Sequence, residues 1–125
     1  MNNDFIEKAV KTENKDFSGM MNRITPQSIR LLHGAIGVST EANELLDAMK
    51  KHIFYGKPLD VVNVKEEIGD ILYYCAILLD ELNTDFDTVS TKVIEKLAVR
   101  YPDKFTLDNA VNRNLVEERK VLENE

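Results

Sequence analysis

The stretch STEANELLDAMKK, residues 39–51, sets Glu41 and Glu44 three positions apart, and VKEEIGDIL repeats that spacing with Glu67 and Asp70. On a helix, residues i and i+3 lie about 60° apart around the axis and roughly 4.5 Å along it, so each pair puts two carboxylates on one face, where they can share an ion. A turn that reverses the chain between the two pairs would lay them antiparallel and bring four acids together. Without compensation such a group repels itself and is driven towards protonation by burial, and a cation removes the difficulty. Oxygen donors with no Cys or His nearby favour Mg²⁺ or Mn²⁺ over Zn²⁺. A di-iron centre is disfavoured, because neither pair has the His at i+3 that such bundles use. The ordinary use of an acidic pair in a chain with 30% charged residues is a solvated face, and spacing alone leaves both readings open.

Several other side chains bear on chemistry. Lys51 follows Glu44 by seven residues, nearly in register and about 10 Å along a helix, a fitting reach for a phosphate chain whose other end touches an ion. It serves equally well as a surface lysine. His33 precedes Glu44 by eleven residues, roughly 16 Å along the axis, too far to ligate the same ion. It is a candidate nucleotide contact at the mouth of a site, or a hydrogen-bonded helix histidine. His52 and Tyr55 read as packing near a loop. Tyr73 and Tyr74 are adjacent and cannot both face one core, so one of them suits a subunit interface or a base.

The elements that must carry these residues are helical. Thr25 as N-cap and Pro26 at the first helical position open a helix. Ile29, Leu32, Ile36, Leu45, Leu46, Met49 and Ile53 continue it until Gly56 and Pro58 stop it. Gly34 and Gly37 inside this run each cost about 1 kcal/mol against Ala, which predicts a kink, a break into two helices, or a close approach by another backbone or a ligand. A second helix is predicted from a cap at Asn63 with Glu66, with Ile68, Ile71, Leu72, Cys75, Leu78, Leu79 and Leu82 as its stripe. A third starts at Thr84 or Asp85, carries Val89, Val93, Ile94 and Leu97, and ends before Pro102. Residues 106–125 read as a short amphipathic helix or a frayed tail, and the first 20 residues as one short helix around DFIEKAVKT. The expectation is a single all-α domain over residues 1–125, an antiparallel bundle of about four to five helices with its core in 26–105, completed by oligomerisation.

Composition narrows the partners. With 22 acids against 16 bases the formal charge is −6, so the basic footprint that a nucleic acid polymer requires is lacking. A phosphorylated small ligand remains compatible, since a divalent ion can carry it to an acidic site. Cys75 is the only cysteine, the opening MNNDFIEK has no signal-like region, and no stretch reaches the length of a membrane span, so a cytoplasmic protein with no membrane partner is expected.

The order E-x-x-E then E-x-x-D, the surroundings LLHGAIGVSTEANELLDAMKKHIFYGKPLD and EEIGDILYY, and the later KLAVRYPDKFT resemble the MazG-type nucleotide pyrophosphohydrolases of the all-α NTP pyrophosphatase superfamily. The similarity covers most of residues 26–114. The resemblance implies a helical homodimer or homotetramer that, with Mg²⁺, hydrolyses a nucleoside triphosphate to monophosphate and pyrophosphate. It implies that Glu41, Glu44, Glu67 and Asp70 are the metal-binding, catalytic acids, and that Lys96 and Arg100, an i, i+4 pair, bind phosphate beside Lys51. Lys104, Asn112 and Arg113 resemble a tail that closes over the site. Three positions depart from the pattern: Thr40 stands where many members have a further Glu, Asn43 where a Gly is common, and Val93 where an Asn contacts nucleotide. Thr40 and Val93 leave open a non-catalytic helical interaction module, and phosphoribosyl-ATP pyrophosphohydrolase is the enzymatic alternative within the superfamily.

Overall fold

The computed structural model describes residues 3–124, which form seven helices with no strand among them: α1 (Asn3–Val10), α2 (Phe17–Asn22), α3 (Pro26–Tyr55), α4 (Val61–Glu81), α5 (Phe86–Arg100), α6 (Leu107–Val111) and α7 (Leu115–Glu123). The all-α expectation holds, with two short helices at the start and two at the end where one each was expected. The Thr25 side chain accepts from the Ser28 N–H, and the Ser28 hydroxyl accepts from the Thr25 N–H, a reciprocal cap that fixes the start of α3 with Pro26 at its first position. Gly56 ends it in the left-handed conformation, φ 65°, which a residue without Cβ adopts at little cost.

α3 is unbroken across Gly34 and Gly37, so it does not split into two helices there; the close approach comes chiefly from side chains of α4, with the Tyr74 carbonyl beside them at Gly34. Both glycines are buried where α4 crosses. A Cβ on Gly34 would stand 2.6 Å from a Leu78 methyl, and one on Gly37 would fall within the Tyr74 ring. Gly37→Ala is therefore expected to lower stability by up to about 2 kcal/mol in urea denaturation, overpacking of about 1–3 being set against a helix-propensity gain of about 1.

The cap of α4 is Asp60, whose carboxylate accepts from the Asn63 N–H at 3.0 Å. Asn63, expected as the cap itself, is inside the helix, which starts three residues early because the aspartate already satisfies the free N–H groups. Asp85 is the cap of α5.

The dominant packing is α3 against α4, an antiparallel hairpin closed at one end by the Gly56–Pro58 turn. Its open end is pinned by Arg30, which reaches Asp80 at 2.6 Å and Glu81 at 3.0 Å. The second packed pair is α5 with α7, so the tail is docked rather than frayed. Glu118 of α7, only 3% exposed, sits between Arg100 at 2.6 Å and Arg113 at 3.1 Å. Burial pushes its carboxyl up, but hydrogen bonds from Arg113 and Arg100 outweigh that and hold it below the usual glutamate range.

No large apolar side chain is fully buried among the described residues, and the hairpin's stripes are half in water, with Ile29 at 49%, Leu32 at 55% and Ile36 at 52% exposure. The chain exposes 10070 Å², whereas a compact monomer of 14.3 kDa exposes about 6,800 Å². The helices have formed and paired, but a good part of their apolar surface has nothing among the described residues to cover it.

Candidate metal centre

The hairpin brings Glu41 of α3 against Glu67 and Asp70 of α4, with one carboxylate oxygen from each within 4.8 Å of the others. The three differ in setting. Glu67 is 7% exposed, Glu41 half-buried and Asp70 exposed. Burial, then a hydrogen bond shared with Glu67, then the charges of Asp70, Glu67 and Glu44 push the Glu41 carboxyl above its usual range. Glu41 therefore keeps a proton to higher pH than an ordinary glutamate, and a cation would take that proton's place. The donor set is all oxygen, and oxygens up to about 5 Å apart can lie on opposite sides of one hard cation with bonds of about 2.0–2.6 Å. The residues present fit Mg²⁺ or Mn²⁺.

Glu44, the fourth acid expected here, is not in the trio. It lies one turn further along α3, where its charge is felt by both Glu41 and Lys51. It lines a neighbouring cleft of about 500 Å³ between the end of α3 and the start of α4. Lys51 shares this cleft but pairs with Asp47 at 2.7 Å, which raises the lysine's pKa and lowers the aspartate's. His33 stands two turns before Glu41, exposed, with its ring edge-on to Tyr74 at 5.8 Å.

Lys96 and Arg100 are carried by α5, whose packing partner is α7 rather than the hairpin. The Arg100 guanidinium is engaged by Glu118 and lies 5.7 Å from the Tyr101 ring. Thr40 donates its hydroxyl to the Gly37 carbonyl at 3.0 Å, so the position offers the cluster no carboxylate.

Asn63 is the neighbour of the acidic trio that sequence reasoning missed. Its side-chain amide donates to Glu67 Oε1 at 2.8 Å, fixing one carboxylate oxygen of the most buried acid of the trio. The i, i+4 spacing to Glu67 was the available signal, hidden because the residue also reads as a cap. If Glu67 is a ligand, Asn63→Leu is expected to weaken Mn²⁺ affinity by about 10–100-fold, as changes behind a ligand do. Calorimetric titration checks this, with circular dichroism to confirm retained helix.

A model of the MazG nucleotide pyrophosphohydrolase domain matches residues 34–105, more than half of the chain. The chain belongs to the MazG family. The matched span runs from Gly34 through the whole acidic cluster to Phe105, so the MazG domain here comprises most of the α3–α4 hairpin and all of α5, while α6 and α7 lie beyond it. Neither the curated proteins nor the solved structures yielded a match. Membership assigns the MazG chain the general activity of a nucleotide pyrophosphohydrolase, a hydrolase acting on nucleotides. None of the helices described is long and apolar enough to cross a membrane.

Proposed function

We propose that this MazG chain is a single domain that hydrolyses nucleoside triphosphates to monophosphate and pyrophosphate with Mg²⁺, for which Mn²⁺ can substitute. The observation that supports it most is the convergence of Glu41, Glu67 and Asp70 within 4.8 Å inside the family segment. These three hold the cation, and Glu67 is kept in place by Asn63. A bound Mg²⁺ supplies Lewis-acid polarisation of phosphate oxygens and a lowered pKa for attacking water. Glu44, free of the trio and open to the cleft, takes the proton as water attacks the α-phosphorus. The bond from that phosphorus to the bridging oxygen breaks, and pyrophosphate leaves. Lys51, Lys96 and Arg100 offset charge on the nucleotide's phosphates, and His33 contacts the nucleoside.

The working unit is a homodimer or homotetramer. The surface excess of roughly 3,000 Å² over a compact monomer is of the size that obligate assemblies cover. Incubation with a panel of canonical and modified nucleoside triphosphates and Mg²⁺ tests the activity. Release of pyrophosphate from at least one is expected. Release from none, with cation binding intact, would leave the non-catalytic module as the reading.

A further inference from the structure

We infer that Lys57, at the turn between α3 and α4, is the residue that grips the phosphates beyond the scissile bond, and that His52 positions it. This rests on the pyrophosphohydrolase reading above and extends it to the leaving group.

The cleft beside the acidic trio contains Glu44, Asp47 and Asp60 against Lys51 and Lys57. Most of these charges are already committed. Lys51 is paired with Asp47, and Asp60 spends an oxygen on the cap of α4. Lys57 has no ion-pair partner among the described residues, which makes it the uncommitted cation of the cleft. A phosphate entering here meets three carboxylates, so it gains only if a divalent ion accompanies it and a free ammonium meets its far end.

The backbone at Lys57 is held more firmly than an exposed turn requires. Its N–H donates to the Lys51 carbonyl at 3.2 Å, and its own carbonyl is 2.8 Å from His52 Nδ1, which in the tautomer that makes this bond donates to it. Gly56 before it has φ 65°, and Pro58 after it has a ring-fixed φ. Anchoring the Cα in this way leaves only the side chain to be ordered on binding, which lowers the cost of capturing an anion. The cleft's size, about 500 Å³, lies within the range of small-ligand sites.

The test is binding of pyrophosphate to the full-length chain by calorimetry with and without Mg²⁺, alongside steady-state kinetics on the best nucleoside triphosphate. Wild type should bind pyrophosphate only with Mg²⁺. Lys57→Ala should lose about 10–100-fold of that affinity, the worth of a charge-assisted hydrogen bond. It should raise KM by a similar factor, with Mn²⁺ binding in the absence of phosphate and inhibition by the nucleoside monophosphate unchanged. Lys57→Arg should recover most of the loss. His52→Ala should weaken pyrophosphate binding less than Lys57→Ala does, and His52→Asn, which keeps a donor, should rescue it. Pyrophosphate held equally tightly by Lys57→Ala and wild type, or not held by wild type at all, overturns the assignment. A wild type that binds pyrophosphate through Lys57 yet cleaves no nucleotide would instead count against the catalytic reading alone.

Discussion

Asp70→Asn is expected to abolish pyrophosphate release, by more than the roughly 10–100-fold that a change behind a metal ligand costs, while leaving the helices formed. Asp70 is exposed and makes no hydrogen bond or ion pair among the described residues, so its charge contributes nothing to the hairpin that an amide would undo. Its contribution is a formal negative charge beside Glu41, and its removal relieves the crowding that raises the Glu41 carboxyl. The variant should therefore fold as well as wild type while binding Mg²⁺ or Mn²⁺ poorly, readable by circular dichroism and calorimetry beside the turnover assay. Glu67→Gln is a less clean probe, because that side chain is buried and accepts from Asn63. Sign matters for the pH profile as well. The Glu41 carboxyl sits above its usual range and must lose its proton to ligate, so cation affinity should climb at pH values above those at which an ordinary glutamate titrates and weaken as pH falls from there. Turnover retained by Asp70→Asn would defeat the proposed site.

The second large effect is expected from Ile36→Asp. Ile36 is 52% exposed in the single chain and shares one face of α3 with Ile29 and Leu32 by its spacing. If a second copy covers that face, an aspartate there buries an unpaired charge, at a cost of about 3 kcal/mol or more per subunit. Sedimentation should then show wild type as a multiple of 14.3 kDa and the variant shifted towards monomer. The wild-type thermal midpoint should rise with protein concentration, as it does when association stabilises the fold. An Ile36→Asp chain with unchanged size and midpoint would show that this face is not covered.

Legibility followed the range of the forces involved. Caps and stops act within four residues, so Thr25, Pro26 and Gly56 could be read from their neighbours, and the cap of α5 could be narrowed to Thr84 or Asp85. The acid pairs were visible for the same reason, since i, i+3 spacing is a local property. The glycines announced an exceptional site but not its kind, because the answer depended on Tyr74 and Leu78, some forty residues away. Asn63 was misread because one side chain suited two local roles, and the choice was made by Asp60 supplying the cap. The separation of Glu44 from the trio, and of Lys96 and Arg100 from the hairpin, depends on how helices pair, which periodicity does not encode. Glu118 was invisible for a related reason: only the docking of α7 gives it Arg100 and Arg113 as neighbours.

The Arg30 clasp and the two glycine notches make the hairpin a ruler with a fixed zero. A slide of one helical turn is about 5.4 Å, more than the 4.8 Å within which the trio's oxygens gather, so no ratcheting of α3 along α4 is compatible with an intact cluster. The spacing of the three acids is thereby set by contacts internal to the hairpin rather than by whatever lies around it.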